Sequence, residues 1–185
     1  AISLDESGES DTNYVNITNN TFERVNRTVI VVNSDSYLRI INNTFTNNTP
    51  QEIELTGGTA NADLTLPNPG LPYNVTSGAT TVNTGAALTI EPGVTIRFGA
   101  SIGITVGSNL SSIGILNAQG TVAQPITFTT NNATPAPGQW AGVSLNYTNN
   151  TVLDHCIIEY GGAGANNTNV RILSDNPVTL KHSVI

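Results

Sequence analysis

The sequence predicts an all-β fold, a parallel β-helix, and three observations carry that prediction. The first is a repeat. Val15-Asn16-Ile17-Thr18-Asn19-Asn20-Thr21-Phe22 returns 23 residues later as Leu38-Arg39-Ile40-Ile41-Asn42-Asn43-Thr44-Phe45, and looser copies run over Thr151–Ile158 and, 27 residues on, Val178–Ile185. A fixed period in the twenties marks a solenoid. The second is the texture of the repeat. Apolar residues alternate over short runs filled with Thr, Val and Ile, which makes the unit a strand and not a helix. The third is the Asn or His that recurs at one place in each copy. Asn tolerates the left-handed backbone of a sharp turn, and stacked amides form a hydrogen-bonded ladder. Equivalent residues then pile up about 4.8 Å apart. Ile17 over Ile40 and Phe22 over Phe45 should line the core, with Asn19 over Asn42, or Asn20 over Asn43, as the ladder.

The elements follow in order. Residues 1–12 read as a loose acidic arm carrying Asp5, Glu6, Glu9 and Asp11. Residues 13–60 hold about two rungs, with strands at Tyr14–Thr18, Thr28–Val32, Tyr37–Ile41 and Glu52–Leu55. Residues 61–74, rich in Pro and Gly, are either a long loop or a joint between two stacked β-helical segments. Residues 75–185 resume the coil. Its strands are Ala87–Ile90 and Val94–Phe98 around the turn Glu91-Pro92-Gly93, then Ile102–Val106, Ile113–Leu116, Pro125–Thr129 and Trp140–Leu145. A loop protrudes at 131–138, and the pattern runs to Ile185 without a capping helix.

Composition narrows the function. Charged residues make up 10 % of the 185 residues, against a usual quarter, and the net charge is −7. The six basic residues are scattered, which excludes a nucleic-acid stripe. No 18-residue apolar run offers a membrane span. Cys156 is the sole cysteine and sits in an apolar strand pattern, as a buried, unreactive thiol would. The absence of any Met marks the chain as processed or as a fragment.

The run Ala87–Phe98, with Gly114–Thr121, Pro125–Thr129, Trp140–Val143 and Cys156–Gly162, resembles the right-handed parallel β-helix repeat proteins secreted by bacteria and archaea, the pectate-lyase-like superfold. The Asn-Asn-Thr-Phe rungs resemble repeats in surface proteins of methanogenic archaea. The resemblance covers residues 13–185 and implies the fold. That fold hosts lyases, hydrolases, adhesins and structural proteins alike.

Candidate sites are few. Enzymes of the resembled fold use clustered acidic residues, whereas Glu23, Asp35, Glu52, Glu54, Asp63, Glu91, Asp154, Glu159 and Asp175 stand apart in the sequence. Glu52 and Glu54 read as solvated charges, and Asp154 with Lys181 as a surface pair. His155 and His182 occupy equivalent repeat positions but lack a third ligand, because Cys156 should point away. No catalytic residue, metal or cofactor is therefore expected. The strongest chemical signal is the Asn-x-Ser/Thr acceptor, at Asn16, Asn19, Asn26, Asn42, Asn47, Asn74, Asn109, Asn132, Asn146, Asn149 and Asn166. These readings combine into a non-catalytic, N-glycosylated structural subunit of an extracellular filament, sheath or surface layer, archaeal in character. It would partner with itself head to tail, with Tyr14, Val15, Ile17 and Phe22 at one end meeting Val178, Leu180, Val184 and Ile185 at the other. The alternatives are a carbohydrate-active β-helix enzyme and a glycan-binding adhesin using Trp140, Tyr147 and Tyr160.

Overall fold

The computed structural model describes residues 2–3, 14–34, 36–164 and 167–185. The chain winds as a parallel β-helix, three strands to a turn. The first turn is β1 (Ile2–Ser3), β2 (Tyr14–Thr18) and β3 (Thr21–Glu23). The second is β4 (Ile30–Asn33), β5 (Tyr37–Ile41) and β6 (Thr44–Thr46). Then come β7 (Ile53–Thr56), β8 (Thr59–Ala60) and β9 (Leu64–Leu66); β10 (Tyr73–Ser77), β11 (Thr80–Val82) and β12 (Ala87–Ile90); β13 (Thr95–Phe98), β14 (Gly103–Val106) and β15 (Ile115–Gln119). The last turns are β16 (Ile126–Thr130), β17 (Gly142–Leu145) and β18 (Thr151–Asp154), then β19 (Cys156–Ile158), β20 (Val170–Ile172) and β21 (Val178–Lys181).

One sheet runs the whole length in the order β1-β4-β7-β10-β13-β16-β19, and all its pairings are parallel. The other two faces change partway. Turns one and two close with the pairs β2-β5 and β3-β6, and from turn three onward the sheets β8-β11-β14-β17-β20 and β9-β12-β15-β18-β21 take over. The stretch 61–74 is therefore not a loop off the coil. It contains β9 and the start of β10, and Leu64, Leu66 and Tyr73 are buried in the core. The side walls change earlier, between β6 and β8, while the long sheet passes through unbroken. Gly57 permits the new corner: a Cβ there would lie 2.3 Å from the Gly78 carbonyl carbon. The arm also needs correction, because Ile2 and Ser3 already pair with Ile30 and Val31.

Alternation builds the core. Inward residues of successive turns stack in register: Ile30, Ile53, Tyr73, Ile96 and Phe128 form one continuous column. Trp140 is fully buried and stacks on Phe98 at 4.5 Å, and its indole N–H donates to the Glu159 carbonyl at 2.7 Å. Burial of this kind accounts for the largest side chains without any external partner. Tyr73 is equally buried and donates its hydroxyl to the Pro67 carbonyl, and loss of solvation pushes its pKa well above the ordinary tyrosine range.

The repeat of the first two turns has the expected register, with Ile17 beside Ile40 and Phe22 stacked on Phe45 at 5.2 Å. The phenyl pair is only half-buried and flanks the core. The ladder runs through Asn20 and Asn43. Asn43 accepts from the Asn20 backbone N–H and donates to the Ile17 carbonyl at 2.7 Å, and buried Asn48 repeats the arrangement on Val25 and Phe22. Asn19 and Asn42 supply the left-handed turn instead, at φ of 58° and 55°.

Candidate functional site

The densest chemistry lies where β18 and β21 end. These strands pair in register, so Lys181 sits on Asp154. The next residue in each, His155 or His182, takes a left-handed turn with φ of 48° or 50°. The imidazoles consequently stack, with ring centres 4.8 Å apart. Strand alternation would send Asp154 and His155 to opposite faces, but the left-handed turn cancels it and both project to one side. Asp154 Oδ1 lies 2.9 Å from His182 Nδ1 and 2.9 Å from His155 Nδ1, and Lys181 Nζ lies 3.3 Å from Oδ2. The hydrogen bond from His182, aided by Lys181, holds the Asp154 carboxyl below the ordinary aspartate range.

The expected Asp154–Lys181 pair and the stacked histidines are thus both present. The expectation that the histidines lack a third donor is overturned, because Asp154 supplies it. Among the described residues, Asp154, His155 and His182 are the one group of three such side chains whose ligand atoms gather, within 4.8 Å of one another. The sequence held the signal in the paired dipeptides Asp154-His155 and Lys181-His182, but a strict alternation rule hides it.

Three other carboxylates make rung-to-rung contacts. Glu52 accepts from Asn74, Glu54 from Thr76 and Glu159 from Thr129, so Glu52 and Glu54 are ladder members and not free surface charges. Cys156 is buried, and loss of solvation raises its thiol to about 11, which suits an unreactive core position. With Trp140 inside the core, the aromatic trio expected of an adhesin does not share an exposed face; Tyr147 alone is exposed, and Tyr160 is half-buried.

The acceptor asparagines divide by exposure. Asn16, Asn19, Asn26, Asn42, Asn47, Asn109, Asn132 and Asn149 are exposed, and Asn146 is half-buried. Asn74 is buried, with its amide N–H donated to Glu52 and its carbonyl oxygen accepting from Asn131, so its nitrogen is not offered to solvent. Asn166 lies outside the described residues.

At the far end, β20 and β21 are sheet edges with no further strand paired to them among the described residues. Their surroundings are apolar and open: Ile172, Leu173, Leu180, Val184 and Ile185 are all exposed, Val184 at 66 %. Val178 is half-buried. At the near end Val15 and Phe22 are half-buried, Ile17 is covered, and Tyr14 is described in its backbone alone.

Parallel coiling, continuous stacking and almost no helix define a β-helix domain. The family model of the pectate-lyase-like β-helix domain matches residues 57–172, well over half of the chain, and the protein belongs to that family. No curated protein and no solved structure matches it. No described helix is long and apolar enough to cross a membrane.

Proposed function

We propose that the chain is a non-catalytic structural module of a cell exterior, N-glycosylated on its exposed turns, that extends by stacking its last rung on the first rung of a second copy. The observation that carries the reading is the open apolar edge formed by Ile172, Leu173, Leu180, Val184 and Ile185. Exposed strand edges with apolar flanks pair with further strands. The two ends are also alike. Val178, Leu180 and His182 match Val15, Ile17 and Asn19 in spacing, and both final residues occupy the same left-handed turn. A heterologous contact of this kind does not close and produces a fibre. Glycosylation draws its support from eight exposed acceptors and from a ladder that uses Asn20 and Asn43, leaving their neighbours Asn19 and Asn42 exposed.

Electron microscopy of the native material with intact-mass measurement tests the reading. The expected result is fibres built from chains heavier than the 19.3 kDa polypeptide. Monomers of bare mass would reject it. A second reading, a carbohydrate-active enzyme, draws on the family match, and cleavage of a polyuronate by the purified monomer would favour it instead.

A further inference from the structure

We infer that Asp154, His155 and His182 form a binding site for one divalent late first-row transition-metal ion, held by the two imidazole Nδ1 atoms and one carboxylate oxygen, the ion taking the place of the His182 Nδ1–Asp154 Oδ1 hydrogen bond. Three observations beyond residue type support the site. First, His155 Nδ1 is buried and has no hydrogen-bond partner; it lies 2.9 Å from Asp154 Oδ1 but outside hydrogen-bonding angles. A buried polar nitrogen of this sort costs stability unless something occupies its lone pair. Second, Lys181 engages Oδ2 and leaves Oδ1 facing the imidazoles, so the carboxylate is oriented for one-oxygen binding by an outer partner, as metal-ligating carboxylates commonly are. Third, the His155 side chain is only 24 % exposed and stacks on His182, which fixes its ring, while His182 is 61 % exposed and leaves a solvent side where further ligands can enter.

The spacing also indicates the class of ion. The carboxylate oxygen lies 2.9 Å from each imidazole nitrogen, and at bonds of about 2.0 Å each such oxygen–nitrogen pair subtends about 90° at the metal. That angle suits octahedral or tetragonal ions of the Ni2+ and Cu2+ kind, where a tetrahedral Zn2+ site needs ligands about 3.3 Å apart. Mixed imidazole and carboxylate donors match the same ions. The site does not depend on how the open rung is covered.

The test titrates the full chain with Ni2+ by calorimetry, alongside His155→Asn, His182→Asn and Asp154→Asn. Asn is the residue that Asn19 and Asn42 place in the same left-handed turn, so the two His variants keep the fold, and circular dichroism checks this. The expected result is one ion per chain, with affinity at least about 10-fold lower in each variant. Cu2+ bound to the wild-type chain should give an axial electron paramagnetic resonance spectrum with coupling to two nitrogens. Failure of the folded wild type to bind Ni2+, or equal affinity in His182→Asn, would overturn the site.

Discussion

Two asparagines show how single side chains hold successive turns together. Asn43 and Asn48 each bridge backbone groups of the preceding turn through both ends of the amide, and Asn48 is 5 % exposed. Removing the Asn48 amide leaves the Val25 N–H unpaired and takes a second donor from the Phe22 carbonyl, so Asn48→Ala should cost about 1–3 kcal/mol in denaturant unfolding. The change keeps the Asn47 acceptor sequence, so any loss of stability is separable from loss of a glycan. Asp154 acts at the same scale but depends on pH. Its carboxyl is lowered in the folded chain, so its contribution is complete above the unfolded value of about 3.9 and disappears as pH falls through the lowered one. The melting temperatures of wild type and Asp154→Asn should differ at neutral pH and converge in strong acid. A constant difference down to the lowest pH would show that Asp154 does not work through its charge. The repeat made Asn43 legible in the sequence, whereas the Asp154–His155 pairing was hidden, because alternation holds along a strand and fails at a left-handed turn.

Among the elements, the strands with the strongest alternation were legible to the residue: β2 and β5 have the bounds their sequences predict. The stretch 61–74 was not, because Pro and Gly signal a turn without showing how much strand lies between turns. Leu64, Thr65 and Leu66 make up a strand of three residues, too short for any periodicity to register. Corners between strands depend on glycine where turns approach closely. Gly107 combines a φ of +72° with a position at which a Cβ would meet the Tyr147 carbonyl oxygen at 1.9 Å. Gly107→Ala should therefore lower the melting temperature of the whole coil, while a change on the exposed loop, such as Ala136→Ser, should leave it unchanged. Trp140 anchors the neighbouring corner. Trp140→Ala should cost about 3–5 kcal/mol, read by denaturant unfolding, and a loss below ~1 kcal/mol would contradict its place against Phe98.

At the scale of the whole molecule, one long sheet carries two different cross-sections, and the last described rung is apolar and open. The repeat revealed the coil and its direction of growth. The switch of side walls after the second turn was out of reach of any single repeat, because it arises from how consecutive turns are cornered. Sequence could place Val178–Ile185 as a rung but could not show whether its apolar residues were covered; the fold leaves Leu180 and Val184 open. Sedimentation velocity over a range of protein concentrations, comparing wild type with Leu180→Lys/Val184→Glu, tests the stacking claim most directly. The account predicts large, concentration-dependent species for the wild type and a single monomer for the variant. A wild-type monomer at every concentration, or identical profiles for the two proteins, would contradict it.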